Sequence, residues 1–428
     1  MGGGLMQLVA YGAQDIYLTG NPQITFFKVV YRRHTNFSME AIQQTFNGSV
    51  GTGSSTVTAT ISRNGDLVSR LWLDVLMDEQ AAGTGGTTAN WINNTGHAFV
   101  KDCEIEIGGQ RIDRHYGHWL DIWNELTDHD EKEWIGLNKH AAKDAYLKSD
   151  GLDGTNTAPR LYVPLQFWFC RNPGLALPLI ALQYHEVKVK LTTRAMGALV
   201  VGNYATGVGA VKPTEVNLWA DYIYLDTDER RRFAQVSHEY LIEQLQKEEG
   251  TDKTTMKLNL NHPVKELIWV NQDVTVLTEG DNGAAGSDVS LNLGGAAMTI
   301  ANDFFNYDGA AAKTVERIAG VDSNESFGTM KLQLNGHDRF SERNASYFRT
   351  CQPIQAGHKV PSKHIYCYSF ALKPEEHQPS GTCNFSRIDN AQMVFGGATA
   401  PTGTLTVYAI NYNVLRIMSG MGGLAYSN

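Results

Sequence analysis

Histidine and carboxylate side chains are densest between positions 113 and 131, where they would suit a metal site. Asp113, His115 and His118 precede a helical pattern, and residues 128–131 (DHDE) follow it. Zinc sites use such ligands, but the sequence has no HxH or HExxH motif, and His185 and His238 start incomplete versions of the latter. We therefore interpret residues 113–131 as a solvated loop and helix cap and predict no metal ligands.

Nucleophilic and phosphate-binding motifs are also missing from the sequence. It contains no GxSxG elbow and no Walker-type loop, and the glycine clusters 83–86 and 207–209 do not join a strand to a helix. We predict no catalytic residue and no cofactor, and hence a protein that is not an enzyme.

Three short patterns occur twice along the chain, in the same order. They are Ile61, Asn64 and Trp72 with Leu258, Asn261 and Trp269; residues 105–111 (IEIGGQR) with 332–339 (LQLNGHDR); and residues 216–220 (VNLWA) with 405–409 (LTVYA). Such a repeat predicts two copies of one β-rich domain, which is more typical of architecture or binding than of catalysis.

Composition limits the classes of protein that fit. A chain of 428 residues is long enough for two cores, and its net charge of −9 argues against a general coat for nucleic acid. Five widely spaced cysteines predict reduced, mostly buried thiols. The start lacks a signal-peptide pattern, and the longest apolar stretch, residues 174–182, is too short to span a bilayer.

Side-chain periodicity predicts mostly strands. Residues 57–61, 71–75 and 187–191 alternate in polarity as half-buried strands do, and the nearly continuous apolar run 161–170 predicts a strand covered on both faces. Gly108-Gly109 and Asn335-Gly336 predict tight hairpin turns. The alternation places three tryptophans in the core: Trp72, Trp219 and Trp269.

One interval has the period of a helix. Trp119, Ile122, Trp123 and Leu126 fall at i, i+3, i+4 and i+7, which predicts one or two surface helices between strands.

These patterns predict an all-β fold of two tandem antiparallel β-sandwich domains of jelly-roll or similar type, with short helices inserted in loops. The expected division is an N-terminal arm and first strand region at 1–36, jelly roll 1 at 37–226, a charged linker at 227–239, and jelly roll 2 with the C-terminal tail at 240–428.

Segments along the whole chain resemble one family, the major capsid proteins of large icosahedral DNA viruses of eukaryotes (nucleocytoplasmic large DNA viruses), nearest to the phycodnaviruses of algae. These segments are residues 7–15 (QLVAYGAQD), 22–37 (PQITFFKVVYRRHTNF), 61–67 (ISRNGDL), 107–113 (IGGQRID), 173–187 (PGLALPLIALQYHEV), 379–390 (PSGTCNFSRIDN) and 413–425 (NVLRIMSGMGGLA). Departures are concentrated in the loops 78–96, 128–158, 196–214 and 272–328.

The resemblance implies a double jelly roll, that is, two tandem antiparallel jelly-roll β-sandwich domains side by side. It also implies a structural subunit of an icosahedral shell that encloses an internal membrane. Three chains would form a pseudo-hexagonal capsomer of six barrels, assembled in the host cytoplasm and incorporated in the virion, without sequence-specific nucleic-acid binding. The arm would lie on the inner face near minor capsid proteins, where Lys28, Arg32 and Arg33 could contact acidic partners; a solvated strand end is the alternative for these three.

The sequence also offers an alternative function and candidate glycosylation sites. A tandem β-sandwich carbohydrate-binding or attachment protein is the alternative function, and an exposed row of aromatic residues on one sandwich face would favour it. Among the glycosylation sequons, Asn93, Asn324 and Asn344 are candidates, but without a secretory signal we expect them to stay unmodified.

Overall fold

The structure is a computed structural model in which two compact units are distinguished, residues 1–37 and residues 38–428. In the second unit it describes residues 38–77, 90–91, 94–127, 160–201, 212–250, 254–272, 289–293, 296–300, 305, 307, 325–397, 401 and 403–426. In the first unit it describes residues 6, 13–14, 19, 21–23, 25–29 and 31–37.

The first half of the chain forms a sandwich of two antiparallel sheets. One sheet has the order β1-β12-β4-β8, with β9 also paired to β4, and the other has the order β2-β3-β10-β6-β7. A separate pair joins β11 to β5. The strands are β1 Phe37–Gln44, β2 Phe46–Asn47, β3 Thr56–Thr60, β4 Leu67–Met77, β5 Asn90–Trp91, β6 Val100–Ile107, β7 Gln110–Tyr116, β8 Arg160–Pro164, β9 Leu177–Pro178, β10 Val187–Thr193, β11 Val200–Val201 and β12 Pro213–Leu225.

The second half repeats this arrangement. Its first sheet has the order β13-β24-β15-β21, with β22 paired to β15 and β25 to β24. Its second sheet has the order β14-β23-β18-β19, with β20 paired to β18, and β16 pairs with β17 separately. The strands are β13 His238–Gly250, β14 Thr255–Lys257, β15 Pro263–Gln272, β16 Val289–Leu293, β17 Ala296–Ile300, β18 Thr329–Leu334, β19 His337–Asp338, β20 Arg343–Asn344, β21 Ile365–Ser369, β22 Cys383–Asn384, β23 Ala391–Gly396, β24 Thr404–Met418 and β25 Met421–Leu424.

The two sandwiches therefore have one topology, and the predicted double jelly roll is confirmed. Strand β12 occupies in the first sheet the place that β24 occupies in the third, and β4 corresponds to β15. Both predicted hairpins are present: Gly108 and Gly109 have positive φ between β6 and β7, and so do Asn335 and Gly336 between β18 and β19. Two successive positive φ values suit a tight two-residue hairpin turn, which Gly and Asn tolerate best.

Helices are short and lie between strands. They are α1 Thr95–Phe99, α2 Gly117–Leu126, α3 Trp168–Arg171, α4 Thr227–Gln235 and α5 Gln352–Ala356, which directly follows a π-helical turn at Tyr347–Cys351. Within the described ranges, 3₁₀ turns lie at Pro173–Leu175, Met196–Leu199 and Phe385–Arg387.

Two local predictions were wrong. The run 161–170 is the edge strand β8, which alternates in burial, followed by α3, so it is not one strand covered on both faces. Helix α2 was correctly placed but is buried instead of lying on the surface. The predicted charged linker contains helix α4, whose first amide donates to the carboxylate of Asp226; its role as a linker stays a prediction.

The sheet that contains β13, β15, β21 and β24 is buried on both faces. Residues 263–272 of β15 are almost all inaccessible, whereas β12 alternates between buried and partly exposed positions. One face packs on the second sheet of its own sandwich. The other belongs to a continuous apolar core shared with the first sandwich. The two lobes of residues 38–428 are thus joined by core packing.

Candidate assembly surfaces

Helix α2 forms the apolar centre of the junction between the sandwiches. It starts where β7 ends, and the 3.6-residue period puts Trp119, Ile122 and Trp123 on one side. Trp119 is inaccessible to solvent, and its ring centroid lies 5.5 Å from that of Tyr408 in β24. The edge of His358 faces Trp123 at 6.3 Å. This packing makes the two sandwiches one block.

Buried charges cross the same junction. Glu243 of β13 accepts a hydrogen bond from Arg171 of α3 at 2.9 Å and one from the inaccessible Lys265 at 2.7 Å. His377 lies 3.5 Å from the same carboxylate. Burial alone would raise the pKa of Glu243, but these three neighbours outweigh it and lower the pKa to about 2. The carboxylate is therefore charged and shared between the two lobes.

His358 is a second buried charge at this junction. Its Nε2 lies 2.9 Å from Glu266 Oε2 and its Nδ1 lies 2.6 Å from Glu375 Oε1. Burial favours the neutral ring, but the two carboxylates outweigh burial and raise the pKa of His358 to about 9.

The residues considered as metal ligands were predicted to lie in a solvated loop and helix cap, and this prediction was wrong for two of them. Asp113 and His115 are buried in β7 and do not lie in a solvated loop. Burial raises the pKa of Asp113 to about 7 and lowers that of His115 to about 3. Oδ1 of Asp113 accepts hydrogen bonds from the amides of Arg114 and Leu245. Among the described residues, no three His, Cys, Asp or Glu side chains converge as metal ligands, and residues 128–131 lie outside them.

The placement of the tryptophans corrects another prediction. Trp269 is in the core, but Trp72 and Trp219 are only half-buried and pair across β4 and β12 on the outer face of the first sheet. The sequence match of Trp72 with Trp269 is one residue out of phase, because the two side chains point to opposite faces of their sheets. Alternation identifies the two faces of a strand but does not say which face is buried. For this reason the sequence alone could not place Trp72 and Trp219 on the outer face.

The predicted contact residues of the arm are accessible. Lys28, Arg32 and Arg33 are all exposed, as are Phe26 at 91% and Phe27 at 98%. Their contact with acidic partners stays a prediction.

Of the three glycosylation candidates, Asn344 is exposed in β20, and its Oδ1 accepts hydrogen bonds from the amide and hydroxyl of Ser346. Asn93 and Asn324 lie outside the described residues. The expectation that these sites stay unmodified remains a prediction.

The sequence matches two family profiles that together cover most of the chain. Residues 25–226 match the major capsid protein N-terminus, and residues 229–423 match the large eukaryotic DNA virus major capsid protein. The chain belongs to this major capsid protein family. The predicted structural role in a viral capsid is thereby confirmed, and the family is the one that the sequence resembled.

Relatives in this family are similar over their full length. The major capsid protein of Pyramimonas orientalis virus is 49% identical, and that of Paramecium bursaria Chlorella virus 1 is 46% identical, each aligned over 100% of both chains. These relatives are named as capsid proteins and not as enzymes.

Solved structures give the same result. A chain of the quasi-atomic PBCV-1 virus capsid has a TM-score of 0.74 and 38% identity, with 94% of this chain and 100% of that chain covered. The Faustovirus major capsid protein has a TM-score of 0.68 at 13% identity, with 95% and 94% covered, and shows the shared fold alone. The described helices include none that is both long and apolar enough to cross a membrane.

Proposed function

We propose that this capsid protein assembles as a homotrimer, that the trimer is a pseudo-hexagonal capsomer, and that capsomers tile the outer icosahedral shell. The observation that supports this most is the repeated sheet order within one block, β1-β12-β4-β8 and β13-β24-β15-β21. Two like lobes on one rigid unit become six lobes when three chains close around a threefold axis. The protein acts by packing and not by catalysis.

The same proposal covers the parts of the chain and their partners. The sequence divides into the arm at 1–36, the jelly rolls at 37–226 and 240–428, and the linker at 227–239. The arm contacts minor capsid proteins beneath the shell through Lys28, Arg32 and Arg33, and its exposed Phe26 and Phe27 add apolar area for burial. Synthesis and assembly take place in the host cytoplasm.

The mass of the purified full-length protein tests the trimer. Light scattering during size-exclusion chromatography should give three times the chain mass of 47.2 kDa, and the trimer should persist on dilution. A chain that stays monomeric at all concentrations contradicts the proposal.

Deletion of residues 1–30 tests the arm separately. The shortened chain should still form trimers but should fail to build shells when it replaces the full chain in infected cells. A second full-length variant, with Lys28, Arg32 and Arg33 changed to Gln, tests the basic side chains by themselves, because Arg32 and Arg33 lie outside the deletion. Normal shells from the deletion would refute the role assigned to the arm.

A further inference from the structure

The outer face of the β13-β24-β15-β21 sheet shows how one lobe of this fold covers the next. Tyr408 of β24, Ile268 of β15 and Cys367 of β21 are cross-strand neighbours in one row and are at most 1% exposed. Helix α2 of the first lobe covers them through Trp119. A helix that follows the last hairpin of one lobe therefore packs on the outer sheet face of the other.

The first lobe has the same row on its own outer face, but it is partly open. Trp219 of β12 pairs with Trp72 of β4, which pairs with Pro164 of β8. This row corresponds to Tyr408, Ile268 and Cys367 by sheet order, and residues 216–220 match 405–409 in sequence as well. The aromatic side chains are half-buried, and Tyr162 beside them is 41% exposed.

The second lobe also has a counterpart of α2. Residues 347–356, which comprise the π-helical turn and α5, come after the β18–β19 hairpin and β20, as α2 comes after the β6–β7 hairpin. Phe348 and Pro353 anchor this segment in its own lobe, while Ile354 points outward with 66% of its surface exposed. Among the described residues, one covering helix and one open sheet face are thus left without a partner on the same molecule.

We propose that the outer face of Trp72 and Trp219 binds the 347–356 helical segment of a second copy of the chain. This rests on the proposed trimer and names the surfaces that hold it together. The contact between chains repeats the contact between lobes, so each chain donates a helix to one neighbour and a sheet face to the other. Such a head-to-tail interface closes into a ring when the rotation allows it, and three chains then bury three equal contacts.

An alternative occupant of the Trp face is a carbohydrate, because aromatic rows suit sugar rings and the row is the feature that would favour the attachment-protein interpretation. The internal counterpart argues for protein: the equivalent row is covered by a helix, and an exposed helix of the matching kind is available on the same molecule. The assembly state of variants in the two surfaces distinguishes these two occupants.

Two single substitutions and a mixture of them test the pairing of these surfaces. Trp219→Lys damages the sheet face and keeps a hydrogen-bond donor beside Asp74, whose carboxylate accepts a bond from the Trp219 indole at 3.2 Å in the wild type. Ile354→Lys damages the helix at an exposed position, and Leu372→Lys, at a residue 77% exposed outside both surfaces, is the control. Circular dichroism and Tm establish that each variant is folded.

Native mass spectrometry of the full-length proteins then measures the assembly state. Wild type and Leu372→Lys should be trimers, and each of the other two variants should be a monomer, because every interface contains one damaged surface. Mixed in equal amounts, those two should form a 1:1 dimer, since the intact face of one chain meets the intact helix of the other.

Each other result has a distinct meaning. A Trp219→Lys or Ile354→Lys protein that remains trimeric overturns the inference, leaves the trimer intact and frees the Trp face for a ligand such as a glycan. A mixture that stays monomeric also overturns it, because the two residues then do not share an interface. Monomeric wild type overturns the proposed function itself.

Discussion

The ring nitrogen Nδ1 of His185 lies 3.1 Å from the amide nitrogen of Gly422 and 2.9 Å from its carbonyl oxygen. These residues are 237 positions apart and belong to opposite lobes. Gly422 lies in β25, the last strand of the chain, and the neighbouring amide of Tyr184 donates to the carbonyl of Gly420. The C-terminal hairpin is therefore tied to the first sandwich by backbone and ring hydrogen bonds.

Gly422→Ala should loosen this tie. An added Cβ would lie 2.6 Å from Cδ2 of the buried Leu182 and 3.2 Å from Ile107, so the strand must move away from His185. Overpacking of this kind costs about 1–3 kcal/mol, and urea unfolding should measure it. Gly423→Ala is the matched control, because its Cβ would meet only the flexible end of Gln110 at 3.2 Å. Equal stability of the two variants would show that the contact of Gly422 with Leu182 is unimportant.

Trp119→Ala should weaken the junction between the lobes. The side chain is fully buried and contacts the rings of Trp123 and Tyr408, each at 5.5 Å. Loss of a buried tryptophan lowers the free energy of unfolding by about 3–5 kcal/mol, measured by denaturant unfolding. Leu372→Ala, at an exposed position, should change it by less than about 0.5 kcal/mol. A similarly small effect at Trp119 would contradict the role of α2 in joining the lobes.

Glu243→Gln should destabilise the chain because it leaves Lys265 and Arg171 without their shared carboxylate. Lys265 is fully inaccessible, and breaking a buried pair in this way costs about 3–5 kcal/mol. The double variant Glu243→Gln with Lys265→Met should recover part of the loss in thermal or urea unfolding, since the uncompensated ammonium is gone. A double variant weaker than the single one would indicate that packing around Lys265, and not its charge, dominates.

His358 should make stability fall as the pH becomes alkaline. Because the pKa of His358 in the fold is raised from 6.5 to about 9, its contribution is complete below pH 6.5, declines from there through pH 9 and is absent above it. A rise of this size corresponds to a contribution of about 3 kcal/mol. Unfolding measured between pH 6 and pH 10 should show this decline in the wild type and a smaller one in His358→Gln. Parallel curves for the two proteins would mean that Glu266 and Glu375 do not hold the proton on the ring.

The sequence by itself determined the kinds of element and their repetition. Strand β10 and helix α2 were predicted from periods of two and 3.6 residues, and the hairpin turns from glycine and asparagine, because these signals act over a few neighbouring residues. The repeat predicted two similar sandwiches because both halves have the same order of apolar and turn residues and must bury them in the same way.

Only the tertiary structure decided which faces are covered and which charges meet. A strand pattern such as that of Trp72 defines two faces, but contact with another sheet or helix determines which one is buried, and those partners lie far away in sequence. Arg171 and Glu243 are 72 residues apart in sequence. They pair across the junction because the packing of the two lobes brings them together. Long-range packing also buried α2, which by its pattern alone could have lain on the surface.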